Sequence, residues 1–302
     1  DSPVRYALEK FVEHVNDGTA PEANAEVGYR AVVMAVKAQE AVLKGGRVEI
    51  PTSATASGAI FRNVYVTCGL FGDAYGYDLR DGRLLWRFRS VPRDGEFGAD
   101  TWNGPQQGAN GWSGLSLDDQ RGIAFVAFGA PRPDMVGIGR LGDNLFSNCV
   151  VALDATTGKR LWHFQMVHHD LLDKDLPCPP LLLTVNHGGK KIDAVAQGTK
   201  HGQLFVFDRV TGTPLWPIEE KPVPASDLRG EQAWPTQPFP QKPAPLMRQR
   251  YTEADVSTLS PEARALTTDR IKLSPNVGPF PAPSLKESIM FPGFDGGMEW
   301  GG

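Results

Sequence analysis

Three stretches of the chain repeat one short pattern: YDLRDGRLLW at 77–86, LDATTGKRLW at 153–162 and FDRVTGTPLW at 207–216. In each stretch an Asp is followed four residues later by a Gly, and four residues after that by a Trp. The Gly supplies the positive φ of a tight turn, and the Asp can accept hydrogen bonds from the turn's own amides. The pattern therefore predicts three strand–turn–strand hairpins, with the Trp at the start of each return strand.

An internal repeat of this kind indicates stacked β units rather than an ordinary sandwich. Successive copies lie 76 and 54 residues apart, which suits propeller blades of roughly 40–50 residues with insertions. We therefore predict an all-β fold, a partial propeller of about three to four blades. A generic all-β repeat without an active site is the alternative.

Composition excludes several classes of function. The 302 residues carry a net charge of −4, so nothing indicates a nucleic-acid or membrane-surface partner, and no apolar run is long enough for a transmembrane helix. The chain opens without a Met or a signal peptide, so we interpret it as a mature or truncated form. The three cysteines (Cys68, Cys149 and Cys178) are far apart and form no CxxC or CxxCH motif, which favours buried free thiols over a metal or haem site.

Two segments differ from the strand-rich pattern of the rest of the chain. Residues 1–51 show helical spacing of apolar residues and are predicted to form a separate helical segment, whereas 52–302 form the propeller. Residues 217–245 are rich in Pro and are predicted to be an irregular lid or linker. A short helix is predicted within 251–270.

Longer stretches resemble the glucose dehydrogenase branch of the quinoprotein dehydrogenases. These stretches are GANGWSGLSLDDQRGIAFVAFG at 108–129, LFSNCVVALDATTGKRLWHFQMVHHDLLDKDLP at 145–177, GTKHGQLFVFDRVTGTPLWPIEEKPVP at 198–224 and MFPGFDGGMEWGG at 290–302. The resemblance implies an eight-bladed propeller of which this chain carries a part. It also implies a periplasmic enzyme that oxidises glucose or another sugar or alcohol with pyrroloquinoline quinone (PQQ), and passes the electrons to ubiquinone or a cytochrome.

The first 50 residues resemble a different family. SPVRYALEKFVEHVNDGTAP at 2–21 and EVGYRAVVMAVKAQEAV at 26–42 are similar to the C-terminal tail of the glucose–fructose oxidoreductase-like, NAD(P)-binding family. The dinucleotide fingerprint of that family, GxGxxG after a strand, does not occur in this segment, so no cofactor residue is assigned from it. The propeller as an appendage of an upstream NAD(P)-dependent oxidoreductase is therefore one alternative function.

Oxidation of an alcohol needs a base for the hydroxyl proton and a cofactor that accepts hydride. The resemblance implies Asp173 as the catalytic base, and Lys200, 27 residues later as in the family, as the partner of the quinone oxygens. Asp170 and Asp175 are neighbouring carboxylates, and the 27-residue spacing to Lys200 selects Asp173 over both. The resemblance also implies Trp112 as the flat surface under the cofactor, assisted by Asn110.

Relatives hold a Ca²⁺ or Mg²⁺ beside the quinone, and Asp173 is the ligand that the resemblance names. The chain departs from the family at Ala130, where many relatives have Asn, at Leu172, where they usually have Trp, and in a short connection between Cys68 and Asp73. These departures put metal binding in doubt and favour a second alternative, a binding or scaffold propeller without activity.

Adjacent His168 and His169 would point to opposite faces of a strand, which makes them a poor metal pair and favours a structural role. We also expect the chain by itself to be inactive and to bind PQQ weakly or not at all, because the missing blades would complete the site.

Overall fold

The computed structural model of the protein describes residues 58–69, 72–104, 107–274 and 277–298, so the helices predicted in 1–51 lie outside the described residues. Two four-stranded antiparallel sheets and a three-stranded one follow each other along the chain as blades. The first blade is β1 (Ala59–Phe61), β2 (Val64–Gly69), β3 (Gly72–Asp78) and β4 (Leu84–Phe88). The second is β5 (Leu115–Asp118), β6 (Ile123–Ala127), β7 (Cys149–Asp154) and β8 (Arg160–Gln165). The third is β9 (Leu181–His187), β10 (Lys190–Gly198) and β11 (Leu204–Asp208).

The predicted hairpin turns are present in all three repeats. Their glycines have φ of 72° at Gly82, 71° at Gly158 and 71° at Gly212. The carboxylate of Asp154 accepts hydrogen bonds from the backbone N–H of Thr156 at 2.9 Å and of Thr157 at 2.8 Å. The repeat thus encodes its turn locally, and the prediction of a partial all-β propeller is confirmed.

Apolar side chains join each blade to the next. One buried cluster combines Val66 of the first blade with Val126 and Val151 of the second. Another combines Phe125 of the second blade with Phe205 and Phe207 of the third. Stacked sheets of this kind bury both faces of the middle blade, which explains why β6 is buried along its whole length.

The tryptophans of the repeat also connect blades. The indole Nε1 of Trp86 donates to the carbonyl of Ala155 at 3.1 Å, and that of Trp162 donates to the carbonyl of Arg209 at 3.2 Å. Each acceptor belongs to the hairpin turn of the following blade. These two tryptophans therefore form hydrogen bonds between neighbouring blades.

The return strand predicted in the third repeat does not form. Only an isolated bridge joins Phe207 to Pro214, and Trp216 follows it outside any strand. The bridge is flanked by two ladder bonds, from Asp208 N to Thr213 O at 2.8 Å and from Leu215 N to Val206 O at 2.9 Å, and strand pairing ends there.

The Pro-rich segment is more regular than predicted. It contains an antiparallel hairpin of β12 (Ile218–Pro222) and β13 (Thr236–Pro240). Backbone hydrogen bonds from Val223 N to Pro235 O and from Gln241 N to Pro217 O show that odd-numbered positions form the hydrogen-bonded pairs. The prolines at 222, 238 and 240 therefore occupy positions where no ladder donor is needed, which is how so many prolines fit a hairpin.

The remaining elements follow this hairpin along the chain. A helix predicted within 251–270 is confirmed as α1 (Pro261–Leu273), capped by Ser260, whose side chain accepts from Ala263 N. Two short parallel strands follow, β14 (Val277–Gly278) and β15 (Ile289–Met290). All three cysteines are free, two of them buried and Cys178 partly so. No helix in the described ranges is long and apolar enough to cross a membrane.

Candidate active site

The connections that follow β4, β6, β8 and β10 emerge at one end of the blades, because neighbouring strands within each blade are antiparallel. We call this end the loop face. Asn110 and Trp112 lie on the connection after β4, Asp173 on that after β8 and Lys200 on that after β10. The fold thus gathers on one face the four residues to which the sequence assigned a role.

Lys200 forms the centre of the candidate site. Its ammonium Nζ donates to Asp173 Oδ2 at 2.8 Å and to Asp175 Oδ2 at 3.0 Å, and the residue is only 6% exposed. The structure thus brings together Asp173 and Lys200, the two residues that the resemblance paired. Asp175, one of the two carboxylates that the spacing set aside, shares the same lysine.

Asp170, the other carboxylate set aside, shapes the loop instead. It is buried, and its carboxylate accepts from Leu172 N at 2.9 Å, Lys174 N at 2.6 Å and Asn148 Nδ2 at 3.0 Å. These bonds close a tight turn in which Asp173 has a φ of 52°. A positive φ is uncommon for residues other than Gly, and the residues that adopt one cluster at functional sites.

The electrostatics of the cluster raise the pKa of Asp173. Burial, followed by the negative charge of Asp175, raises it to about 7 against the opposing effect of the Lys200 ammonium. Burial by itself would lower the pKa of Lys200, but the two carboxylates outweigh burial and raise it. The lysine thus remains a cation, while Asp173 can change its protonation state near neutral pH.

Gly129 marks where the other site residues approach. A Cβ atom on Gly129 would lie 2.3 Å from Asp175 Oδ1, 3.0 Å from Asn110 Oδ1 and 3.1 Å from Trp112 Nε1. No other residue type fits at such distances, so the glycine allows an indole, an amide and a carboxylate to converge. Asp175 is held there by a hydrogen bond from Ala130 N at 2.5 Å.

These side chains fit a flat, electron-accepting cofactor. The indole of Trp112 is half-buried, the ammonium of Lys200 is fixed by two carboxylates, and Asp173 is partly accessible. The oxygens of Asn110, Asp173 and Asp175 are donors of the type that Ca²⁺ and Mg²⁺ prefer. Within the part of the chain that the structure describes, no group of three or more His, Cys, Asp or Glu side chains could hold a metal.

The two adjacent histidines follow β8 in a bend rather than in a strand, so the premise of opposite strand faces was wrong. His169 is buried, and its Nδ1 lies 2.6 Å from the carbonyl of Gly142. Because that carbonyl can only accept, Nδ1 carries the proton. His168 bonds Gln165 Oε1 through Nδ1 at 2.8 Å. Both rings are engaged in protein contacts.

Sequence reasoning missed the residues that hold the loop after β8, which carries Asp173. Gln237 of the Pro-rich hairpin accepts from His168 N at 2.8 Å and donates to His168 O at 2.7 Å. The buried carboxylate of Glu231 accepts from Gly137 N at 2.8 Å and faces His169 Nε2 at 3.5 Å. Lys174 is fully buried and donates to the carbonyl of Pro292 at 2.9 Å. These partners are distant in sequence, so no local pattern could reveal them.

Comparison with known proteins agrees with this geometry. Residues 52–302 match the family model of the PQQ-dependent glucose/ethanol/alcohol dehydrogenase β-propeller domain. The chain therefore belongs to this family of quinoprotein dehydrogenases.

The chain spans only part of the curated relatives. It is 39% identical to a probable quinate dehydrogenase (quinone) of Xanthomonas campestris pv. juglandis, over 64% of this chain and 25% of the relative. It is 35% identical to the quinate/shikimate dehydrogenase (quinone) of Acinetobacter baylyi, over 74% of this chain and 28% of the relative. It is 31% identical to quinoprotein glucose dehydrogenase A of Acinetobacter calcoaceticus, over 95% of this chain and 38% of the relative.

A solved quinohemoprotein alcohol dehydrogenase of Pseudomonas putida shares the fold. The match has a TM-score of 0.51 and 23% sequence identity, and it covers 65% of this chain and 33% of the Pseudomonas putida chain.

Proposed function

We propose that the chain supplies part of the active site of a PQQ-dependent dehydrogenase that oxidises a CH–OH group of a sugar or another alcohol. The observation that carries the proposal is the buried ammonium of Lys200 held between Asp173 and Asp175. Membership of the quinoprotein dehydrogenase family supports the same reaction.

PQQ, when bound, supplies the quinone that takes up the hydride equivalent from the alcohol carbon. The indole face of Trp112 would support the flat ring, with the amide of Asn110 at its edge. Lys200 would donate to a quinone oxygen, where an ammonium stabilises the negative charge that develops on reduction. Its own pKa is raised, so it stays charged throughout.

Asp173 would accept the hydroxyl proton of the substrate. Burial and the charge of Asp175 raise its pKa to about 7, which suits a general base at neutral pH. The base is active when ionised, so the reaction should accelerate as pH rises through this value. Asp173, Asp175 and Asn110 are the residues that would hold Ca²⁺ or Mg²⁺ beside the cofactor.

The wider setting follows from the relatives. Their names specify glucose, quinate or shikimate as substrates and a quinone as acceptor. We infer a small hydroxylated substrate, electron transfer to ubiquinone or a cytochrome, and a periplasmic location.

A catalytically inactive binding or scaffold propeller is the second candidate. Ala130 and Leu172 stand where relatives carry Asn and Trp, and both belong to loops of the candidate site. The two candidates differ in whether the site binds PQQ, which a local probe can measure.

The test is a titration of ¹⁵N-labelled protein with PQQ and CaCl₂, followed by the indole N–H signals in NMR spectra. This measurement detects weak binding, which we expect for a chain that spans 25% to 38% of these three relatives. The Trp112 signal, assigned with Trp112→Phe, should shift with PQQ, and Lys200→Met should abolish the shift. Lys159→Met in an exposed turn is the matched control. A shift that Lys200→Met leaves intact would contradict the proposal.

A further inference from the structure

A cavity opens next to the candidate site. Its volume is about 440 Å³, within the range of small-molecule sites, and Asn110 belongs to its wall as well as to the cluster around Gly129. Four arginines contribute to the lining: Arg87, Arg89, Arg93 and Arg132. The cavity therefore adjoins the site at Asn110 and differs from it in charge.

The positive charge is only partly neutralised. Asp73 pairs with Arg87, and Glu96 pairs with Arg89 at 2.6 Å. Among the described residues, the guanidinium group of Arg93 has no ion pair. Arg132 has only a long contact of 4.0 Å with the exposed Asp134. Since the whole chain has a net charge of −4, the excess of cations here is a local feature.

One donor inside this cluster lacks a protein acceptor. The Nε of Arg89 is buried and has no hydrogen-bond partner among the described residues. A buried donor without an acceptor is unfavourable, so the protein does not fully satisfy the guanidinium group of Arg89. A carboxylate can accept two parallel bonds from a guanidinium group, which makes it the ligand that arginines recognise best.

Gly72, the first residue of β3, lines the same cavity as Asn110. A Cβ on Gly72 would meet no atom within 4 Å, so this part of the wall leaves open space for a ligand.

We propose that the arginine-lined cavity binds the carboxylate of an anionic substrate, so that the enzyme oxidises a hydroxy acid or sugar acid rather than a neutral sugar. The inference rests on the proposed function for its catalytic step, and it adds the class of substrate. The carboxylate binds Arg89 and Arg93, and the hydroxylated part of the substrate reaches the loop face beside Asn110.

The test measures binding without the cofactor, by saturation-transfer NMR at low ionic strength. The probes are glucuronate and glucose, which differ by a carboxylate at a single carbon. Wild-type protein should bind glucuronate at least about tenfold more tightly, as expected for a charge-assisted bidentate contact. The double variant Arg89→Gln/Arg93→Gln should reduce glucuronate affinity to that of glucose.

Two controls keep the outcome interpretable. Arg83→Gln, in a turn at the opposite end of the blade, should leave glucuronate binding unchanged. If the double variant fails to fold, Arg132→Gln replaces an exposed lining residue and should still weaken glucuronate binding several-fold. Equal affinity for glucuronate and glucose would overturn the proposal.

A separate PQQ titration distinguishes the cofactor's carboxylates from those of a substrate. The double variant should retain the Trp112 shift with PQQ; loss of that shift would assign the arginines to the cofactor and overturn the inference. If the shift is lost only in Lys200→Met, the result supports the assignment of the arginines to the substrate. Glucuronate binding without any PQQ response would separate the two proposals: carboxylate recognition would stand, and the role of Lys200 and Trp112 in holding PQQ would lose its support.

Discussion

The indole ring of Trp86 in the first blade lies directly over Gly158 in the second. A Cβ on Gly158 would come within 2.5 Å of the ring, and Trp162 covers Gly212 of the third blade at the same distance. The Gly and Trp of the repeat therefore interact between copies rather than within one copy. The glycine has two functions: it adopts the positive φ of its own turn and leaves space for the neighbour's tryptophan.

This relationship predicts unequal effects for two glycine substitutions. Gly158→Ala forces a side chain into the Trp86 ring and should lower the free energy of unfolding by about 2–4 kcal/mol. Gly188→Ala, at a φ of 56° with no atom within 4 Å of the new Cβ, should cost only about 1 kcal/mol. Urea denaturation measures both. Equal destabilisation would show that the turn alone, and not docking between blades, requires the glycine.

The sequence contained most of the information about the fold. The turn is local, so Asp154 and Gly158 revealed it. The third repeat forms its turn but not its return strand, a difference that the shared motif concealed. The Pro-rich segment was predicted to be irregular because proline disfavours strands, yet the prolines at 222, 238 and 240 lie at positions from which a backbone N–H would point away from the partner strand.

The site was predictable only in part. The 27-residue spacing placed Asp173 with Lys200, and the resemblance placed Trp112 and Asn110 on the same face. Nothing in the sequence showed that Asp175 would share the lysine, because its position depends on a bond from Ala130 of another loop. The arginine-lined cavity depends on four separate segments (72–73, 87–93, 107–110 and 132), so no local pattern indicates it.

The position of Lys200 predicts a pH-dependent loss of stability in Lys200→Met. Without the ammonium, Asp173 and Asp175 become an uncompensated pair of largely buried carboxylates above neutral pH. We expect destabilisation of about 2–4 kcal/mol at pH 8 and much less at pH 5, where Asp173, whose pKa is raised to about 7, is protonated and one of the two negative charges is removed. Thermal melts across this range measure the effect, with the exposed Lys159→Met as control. A loss independent of pH would mean that Lys200 acts through packing.

Asp173→Asn should instead stabilise the protein at high pH. Because the folded-state pKa of about 7 exceeds that of an unfolded Asp, the folded protein retains a proton that the unfolded chain has released. Stability of the wild type therefore falls as pH rises from about 4 to 7, and the loss persists above that range. Asn does not ionise, so the variant should be more stable by on the order of 1 kcal/mol at pH 8 and equal near pH 4. Calorimetry at the two pH values decides; a variant that is less stable at pH 8 would contradict this assignment.

The thiols should differ in reactivity according to burial. Burial raises the pKa of Cys68 to about 12 and that of Cys149 as well, so neither is a thiolate at neutral pH. Cys178 is only partly buried, although burial raises its pKa too. A disulfide reagent under native conditions should label Cys178 first and the other two only on unfolding. Fast labelling of Cys68 would show that the first blade opens.

Glu231 connects the Pro-rich segment to the loops beside the candidate base. Its carboxylate accepts from Gly137 N and faces His169 Nε2, and it lies within a buried region. Glu231→Ala would leave the Gly137 amide without an acceptor and should destabilise the loops locally by about 1–3 kcal/mol. Hydrogen exchange should then accelerate in residues 137–142 and 167–175 while the strands of the second blade stay protected. Glu219→Ala, on the exposed strand of the hairpin, is the matched control and should change neither segment. Uniform acceleration across the blade would show that Glu231 supports the whole fold rather than the position of Asp173.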